Sequence, residues 1–270
     1  MKDLSGKYVC EQTAACGRPF IVLERPRLAS VALRSDWMEQ ALSPNIAGLT
    51  DCQRAELSAH WARLGQMEHA SIAAFARFNL QLLALGAPVE LVEACNRALV
   101  DETAHTRLCF ALASQYAGIP LGPSQLEVRD CFEDMSLASV AKLVLREGCL
   151  GETVAALEAL ADADIATDPV IERVLRRIAE DEQRHAELAY RFLDWALAQS
   201  SPEERAELEH EAERRLARFE HEARSQAQRV AVRDVVRPLV AALFAQRELP
   251  QAVYRRREGT HGGAARVRHC

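Results

Sequence analysis

From residue 51 onward, apolar side chains recur at steps of three and four, the spacing that places them on one face of an α-helix. Residues 51–85 carry Trp61, Leu64, Ile72, Phe75, Phe78 and Leu82 in this phase, and residues 88–116 carry Leu91, Cys95, Leu99, Cys109 and Leu112. Gly86, Ala87 and Pro88 lie between them, a combination that ends one helix and opens the next. Residues 136–165 repeat the pattern with Val140, Leu143, Leu150, Val154 and Leu157. Asp168 and Pro169 then supply a cap and a first turn for a helix over 169–199, with Val174, Ile178, Ala189 and Phe192 in phase. The connection over 117–136 is long and holds Pro120 and Pro123. Short, long and short loops predict two helical hairpins joined by a crossover.

The flanks are patterned differently. Over residues 1–50, Pro19, Pro26 and Pro44 interrupt two β-prone runs, 20–23 and 28–33, which predicts an arm that makes a short β-hairpin or an extended strap outside the helices. Residues 200–253 predict accessory helices. One is strongly charged, with Leu208, Leu216 and Phe219 as sparse apolar contacts, and a shorter one over 229–245 is broken or bent at Pro238. Residues 254–270 form a basic tail that reads as solvated and disordered.

The apolar stripes of all four central helices contain ionisable residues. Glu68 lies in the first stripe, Glu102 and His105 in the second, Glu147 in the third, and Glu182 and His185 in the fourth. The Glu-x-x-His spacing alone proves little: 27 glutamates in 270 residues give eight histidines about 0.8 such matches by chance, and the chain has four. Context separates them. The matches at Glu207–His210 and Glu258–His261 lie in a charged run and in the basic tail, where no buried face exists.

An ionised carboxylate taken out of water costs several kcal/mol unless it is compensated. Four glutamates and two histidines on buried stripes therefore ask for a common partner, and two transition-metal ions supply one. Residues three apart share a helix face, so each tetrad can present two ligands inward. The two halves also agree in spacing, with 34 residues from Glu68 to Glu102 and 35 from Glu147 to Glu182.

On these residues the chain resembles the ferritin-like di-iron and di-manganese carboxylate superfamily over about residues 51–199. The resemblance implies an all-α fold, a ferritin-like four-helix bundle, with Glu68 as terminal ligand of one metal, Glu102 as a bridging carboxylate and His105 as its imidazole partner. Glu147, Glu182 and His185 match the corresponding positions for the second metal. Glu152 competes with Glu147: each of Glu152 and Glu182 lies 15 residues from the turn at Thr167, so the two should be level along the bundle. Helical phase favours Glu147, because five α-helical residues turn Glu152 by about 140° from it. Glu152 stays as the alternate or a seventh carboxylate, as in rubrerythrin-like sites. Gly148 and Gly151 would loosen the helix there. Asp101 and Asp181 precede the two tetrads and are candidates to hold the histidine of the opposite hairpin. Cys109 stands one turn beyond His105, where ribonucleotide reductase small subunits place a tyrosine, so a stable tyrosyl radical is not expected.

Composition narrows the function further. A net charge of −6 and a pI of about 5.8 argue against a nucleic-acid binder. No run reaches the ~18 to 20 apolar residues of a membrane span. As written, the chain reads as cytoplasmic, with an export signal upstream of the given start left open. Eight cysteines without a Cys-x-x-Cys pair build neither a rubredoxin-type centre nor a zinc ribbon. Cys95, Cys109 and Cys149 fit buried thiols, whereas Cys10 and Cys16 could pair. The resemblance implies a di-iron oxidase or oxygenase that uses O2 or peroxide on a small organic substrate, with an external electron donor and a possible homo-oligomeric assembly. Ferroxidase or storage work, manganese-catalase-like peroxide disposal, and a non-catalytic helical interaction protein are the alternatives, and the Glu and His donors suit iron and manganese alike.

Overall fold

The structure is a computed structural model that describes residues 17–39, 42–132, 134–223 and 225–245. The protein is mostly helical. The possible Cys10–Cys16 pair and the basic tail lie outside the described residues.

Helix α1 (Asp51–Ala84) starts where Thr50 caps the first turn, its side chain accepting from the Gln53 amide while Gln53 reaches back to the Thr50 amide. Reciprocal capping of this kind satisfies two of the donors that a helix start leaves without partners. Helix α2 (Val89–Ala117) follows Pro88 and ends at Gly118, which takes the left-handed conformation at φ +71°, a geometry that costs a glycine nothing. The two helices form an antiparallel hairpin: Ser58 donates to the Ala113 carbonyl near one end, and Asn79 to the Asn96 side chain near the other.

The crossover contains a short strand, β4 (Leu121–Pro123). Strands β1 (Ile21–Val22) and β2 (Arg25–Pro26) make a small hairpin in the arm, while β3 (Val31–Leu33) pairs antiparallel with β4. The second β-prone run thus finds its partner 90 residues away in the crossover, not in the first run. The arm is thus tied to the crossover through β3, and to α1 through the carbonyls of Arg18, Ile21 and Ala29, which accept from Ser71, Arg77 and Gln66.

The third helix is composite. Helix α3 (Leu137–Val144) runs into a π-helical segment (Leu145–Glu152) and on into helix α4 (Thr153–Ile165). Helix α5 (Pro169–Gln199) begins as its sequence predicts, with Asp168 accepting from the Val170 amide and Pro169 in the first turn. Gly148 and Gly151 serve close approach. A Cβ on Gly148 would lie 2.5 Å from Ala189 Cβ on α5, and one on Gly151 would lie 3.2 Å from Pro19 Cδ in the arm. Gly148→Ala should therefore destabilise the protein: the clash, typically about 1–3 kcal/mol, opposes the ~1 kcal/mol by which alanine favours a helix over glycine. A melting temperature equal to or above the wild type's would refute the tight contact.

Helix α6 (Pro202–Glu222) buries Leu208, Ala212 and Leu216 against the central helices. Helix α7 (Gln226–Val230), a second π-helical segment (Ala231–Val236) and helix α8 (Arg237–Ala245) complete the described chain. Pro238 does not break this run. The wide turn just before it relieves the clash that a proline ring makes with the carbonyl four residues earlier. Phe75, Phe78, Leu82, Val140, Val144, Phe192 and Leu193 lie in the largest apolar cluster, and Trp61, Leu64, Phe110 and Leu112 in a second. No helix among the described residues is long and apolar enough to cross a membrane.

Candidate metal centre

Four helices deliver six ionisable side chains to one buried place. Glu68 comes from α1, Glu102 and His105 from α2, Glu152 from the end of the π-helical segment, and Glu182 and His185 from α5. All are sealed from solvent, the most exposed being His185 at 2%. Their donor atoms form two overlapping groups, Glu68–Glu102–His105–Glu182 and Glu102–Glu152–Glu182–His185, each with its atoms within 4.8 Å of one another. Glu102 and Glu182 belong to both. These groups could hold metal ions, with the two shared carboxylates between the sites.

The histidines show which atoms face the centre. His105 Nε2 lies 2.8 Å from Asp181 Oδ2, a contact that holds a proton on Nε2 and turns Nδ1 inward. From there Nδ1 meets oxygens of Glu68, Glu102 and Glu182, each at 3.7 Å. His185 repeats the arrangement. Its Nε2 lies 3.4 Å from Asp101 Oδ2, and its Nδ1 is 3.2 Å from Glu102 Oε1 and 3.3 Å from Glu182 Oε2. Each aspartate thus holds the histidine of the opposite hairpin. Arg184 pairs with both aspartates and ties the two outer contacts together.

Eight buried donor atoms in this cluster have no hydrogen-bond partner: both oxygens of Glu68, Glu102 and Glu152, Glu182 Oε1 and His105 Nδ1. Buried polar atoms are almost always paired, and an orphaned carboxylate oxygen is among the costliest exceptions. Donors about 2.1 Å from a shared ion lie roughly 3 to 3.5 Å apart, close to the 3.2–3.7 Å separations found here. The residues present fit a cation-binding role.

Electrostatics say the same. Burial, together with the neighbouring Glu102 charge, pushes the Glu68 carboxyl well above the usual range, and burial with the Glu182 charge does so for Glu152. Against the upward push of its own burial, Glu102 is held at about 2 by His105 and His185. Both imidazoles are raised despite burial, His105 by Asp181, Glu102 and Glu68, and His185 by Asp101, Glu102 and Glu182. Without metal, the site retains protons to offset its negative charge.

Glu147, which helical phase favours, is not brought to the cluster. Its carboxylate accepts from Arg77 Nη2 at 2.7 and 2.8 Å, from Arg18 Nε at 3.5 Å and from the Ile21 amide at 3.3 Å. The physical reason is the π-helical segment. Phase counting assumes 100° per residue throughout, whereas the i→i+5 bonds of a π-helix give a wider turn and a smaller advance. The axial argument from Thr167 does not depend on phase, and it points to Glu152. Cys109 is fully buried beneath the cluster, where burial and the charges of Glu68, Glu102 and Glu182 keep its thiol protonated.

Sequence reasoning missed Arg18, Ser71, Arg77 and Arg184. Arg77 left a signal, as an arginine between Phe75 and Phe78 in an otherwise apolar run. Arg18 left none, since the arm has no periodicity to mark a buried position. Comparison with protein-family models, curated proteins and solved structures finds no match, so the site stands on its own geometry.

Proposed function

We propose that the chain is a ferritin-like dinuclear metal oxidoreductase. In this reading α1, α2, the composite third helix and α5 form a four-helix bundle that holds two ions, iron or alternatively manganese, and uses O2 or peroxide to oxidise a small substrate. The supporting observation is the set of eight unpartnered donor atoms arranged around two shared carboxylates. A structural bundle without metal would have to keep those donors buried and unpaired, with retained protons alone to offset their charge.

The ions, when bound, would supply redox and Lewis-acid chemistry toward O2 or peroxide. The chain's own residues set its conditions. Asp181 and Asp101 orient the two imidazoles with Nδ1 inward. Phe75, edge-on to His185 at 5.1 Å between ring centroids, and buried Cys109 keep water from the cluster. Among the described residues no rubredoxin-like module accompanies the site, so electrons would come from an external donor.

Elemental analysis of purified protein should find two iron or manganese ions per chain, and the iron-loaded protein with a chemical reductant should consume O2 or peroxide. No stoichiometric metal, even after reconstitution, would remove this reading. Stoichiometric metal with no consumption would leave a structural or storage site. The closure of the cluster favours one second reading, a ferroxidase whose oxidisable substrate is Fe(II) itself. Turnover of Fe(II) well beyond two equivalents, with no organic substrate needed, would select it.

A further inference from the structure

The arm reaches the metal cluster. Gly17 takes φ +65°, and a Cβ there would lie 2.6 Å from Ser71 Oγ and 3.1 Å from Glu68 Oε2. Backbone, with no side chain between, therefore packs against a carboxylate of the centre. Ser71 Oγ donates to the Arg18 carbonyl at 2.9 Å. Across the gap, Gly151 on the π-helical segment comes so close that its Cβ would stand 3.2 Å from Pro19 Cδ and 3.5 Å from the Gly17 carbonyl oxygen. Residues 17–21 thus fill the space between α1 and the third helix.

An ionic clasp fastens them. The Arg18 side chain is wholly buried, its guanidinium 4.3 Å from the Phe78 ring centroid and 5.0 Å from that of Phe75. Glu147 accepts from the Arg18 side chain and from the Ile21 amide, while Arg77 donates to Glu147 and, through Nη1, to the Ile21 carbonyl at 2.6 Å. Glu147 is therefore bound to the arm on one side and to α1 on the other. A surface strap would not need a buried carboxylate between two buried guanidiniums, because such a group is costly to bury unless it is paired, as Glu147 is with both.

We propose that residues 17–21 are a size filter on the metal centre, with Glu147 as the positioning residue that holds them shut. The inference rests on the dinuclear reading and names its substrate class: the closed site takes reactants as small as O2 or peroxide and keeps bulkier molecules out. An organic substrate would reach the centre only with the strap displaced.

The test uses the full chain loaded with Co(II), whose visible spectrum reports changes at the metal, and two probes. Azide is a small anion, and EDTA is a bulky chelator. The wild type should show a prompt azide-induced spectral change and slow loss of Co(II) to EDTA. Glu147→Gln and Arg18→Met should keep the Co(II) stoichiometry and the azide response, but lose Co(II) to EDTA at least tenfold faster. Arg18→Met retains the neutral Arg77–Glu147 pair and serves if Glu147→Gln fails to fold. Val174→Ala, which weakens an apolar cluster that contains no residue of 17–21, should leave the EDTA rate within about twofold of wild type, separating the filter from general destabilisation. Equal EDTA rates in wild type and both strap variants would overturn the proposal, as would a wild type that excludes azide and EDTA alike. Absence of Co(II) uptake by every form would instead remove the dinuclear reading, and the filter with it.

Discussion

Glu182→Ala should abolish stoichiometric metal binding, with both ions lost together. Its two carboxylate oxygens face the two imidazoles separately, Oε1 at 3.7 Å from His105 Nδ1 and Oε2 at 3.3 Å from His185 Nδ1, so no other single side chain except Glu102 serves both groups. Losing an outer hydrogen-bond partner of a metal ligand typically costs about 10–100-fold in affinity, and losing a shared ligand should cost more than that. Glu147→Gln supplies the contrast. It leaves Arg18 and Arg77 buried without their carboxylate, a loss of about 3–5 kcal/mol in comparable pairs, and yet both ions should stay bound. Metal content after dialysis, measured beside the melting temperature, separates the two effects. Retention of two ions by Glu182→Ala, or their loss from a folded Glu147→Gln protein, would show that the cluster is wrongly assigned.

Removing the metal should lower the melting temperature by a margin that widens as pH rises. A ligand at about 1,000 times its Kd stabilises the folded state by ~4.1 kcal/mol. At roughly 2–4 °C per kcal/mol for a chain of this size, that is about 8–16 °C for each ion. The pH dependence follows from the metal-free groups. Glu68 and Glu152 have folded values raised above their ordinary 4.5, and His105 and His185 above 6.5. Their stabilising contribution is therefore complete below those ordinary values and is lost as pH rises through the folded ones. Glu102, held at about 2, acts in the opposite sense: its contribution is present above 4.5 and is lost as pH falls toward 2. The metal-free protein should accordingly lose stability as pH rises, through the two glutamates from above about 4.5 and through the two histidines from above about 6.5, while bound ions take the place of those protons in the loaded protein. Calorimetry of both forms between pH 6 and 9 decides it, and a constant gap would contradict the protonated empty site.

Much of this arrangement could be read from the sequence, for a physical reason. Helical periodicity is local, so Glu68, Glu102, His105, Glu182 and His185 could be placed on buried faces from spacing alone. The crossed contacts of Asp101 and Asp181 could be anticipated because each precedes a tetrad by one residue. What could not be read depends on departures from regular geometry or on distant partners. The choice between Glu147 and Glu152 turned on a change of helix type, which Gly148 and Gly151 signalled as a loosening without giving its form. The pairing of β3 with β4, and the burial of Arg18, depend on contacts between segments about 90 and 129 residues apart. Pro238 signalled a distortion, and the run is distorted by a π-helical segment just before it and not broken.

The π-helical segment between Leu145 and Glu152 can be regarded as an insertion, chain length added without the rise an α-helix would give it. Deleting one residue within it would let the third helix close into regular i→i+4 bonding, and by local criteria the helix would be improved. The flanks would keep nearly the same phase, because the wide turn absorbs its extra residue, but regular turns of about 100° per residue would redistribute the positions within the segment, so Gly148 and Gly151 would no longer face α5 and the arm together. The irregular backbone thus stores the alignment of two partners on opposite sides of one helix. Selection or design for a straighter helix would lose both at once.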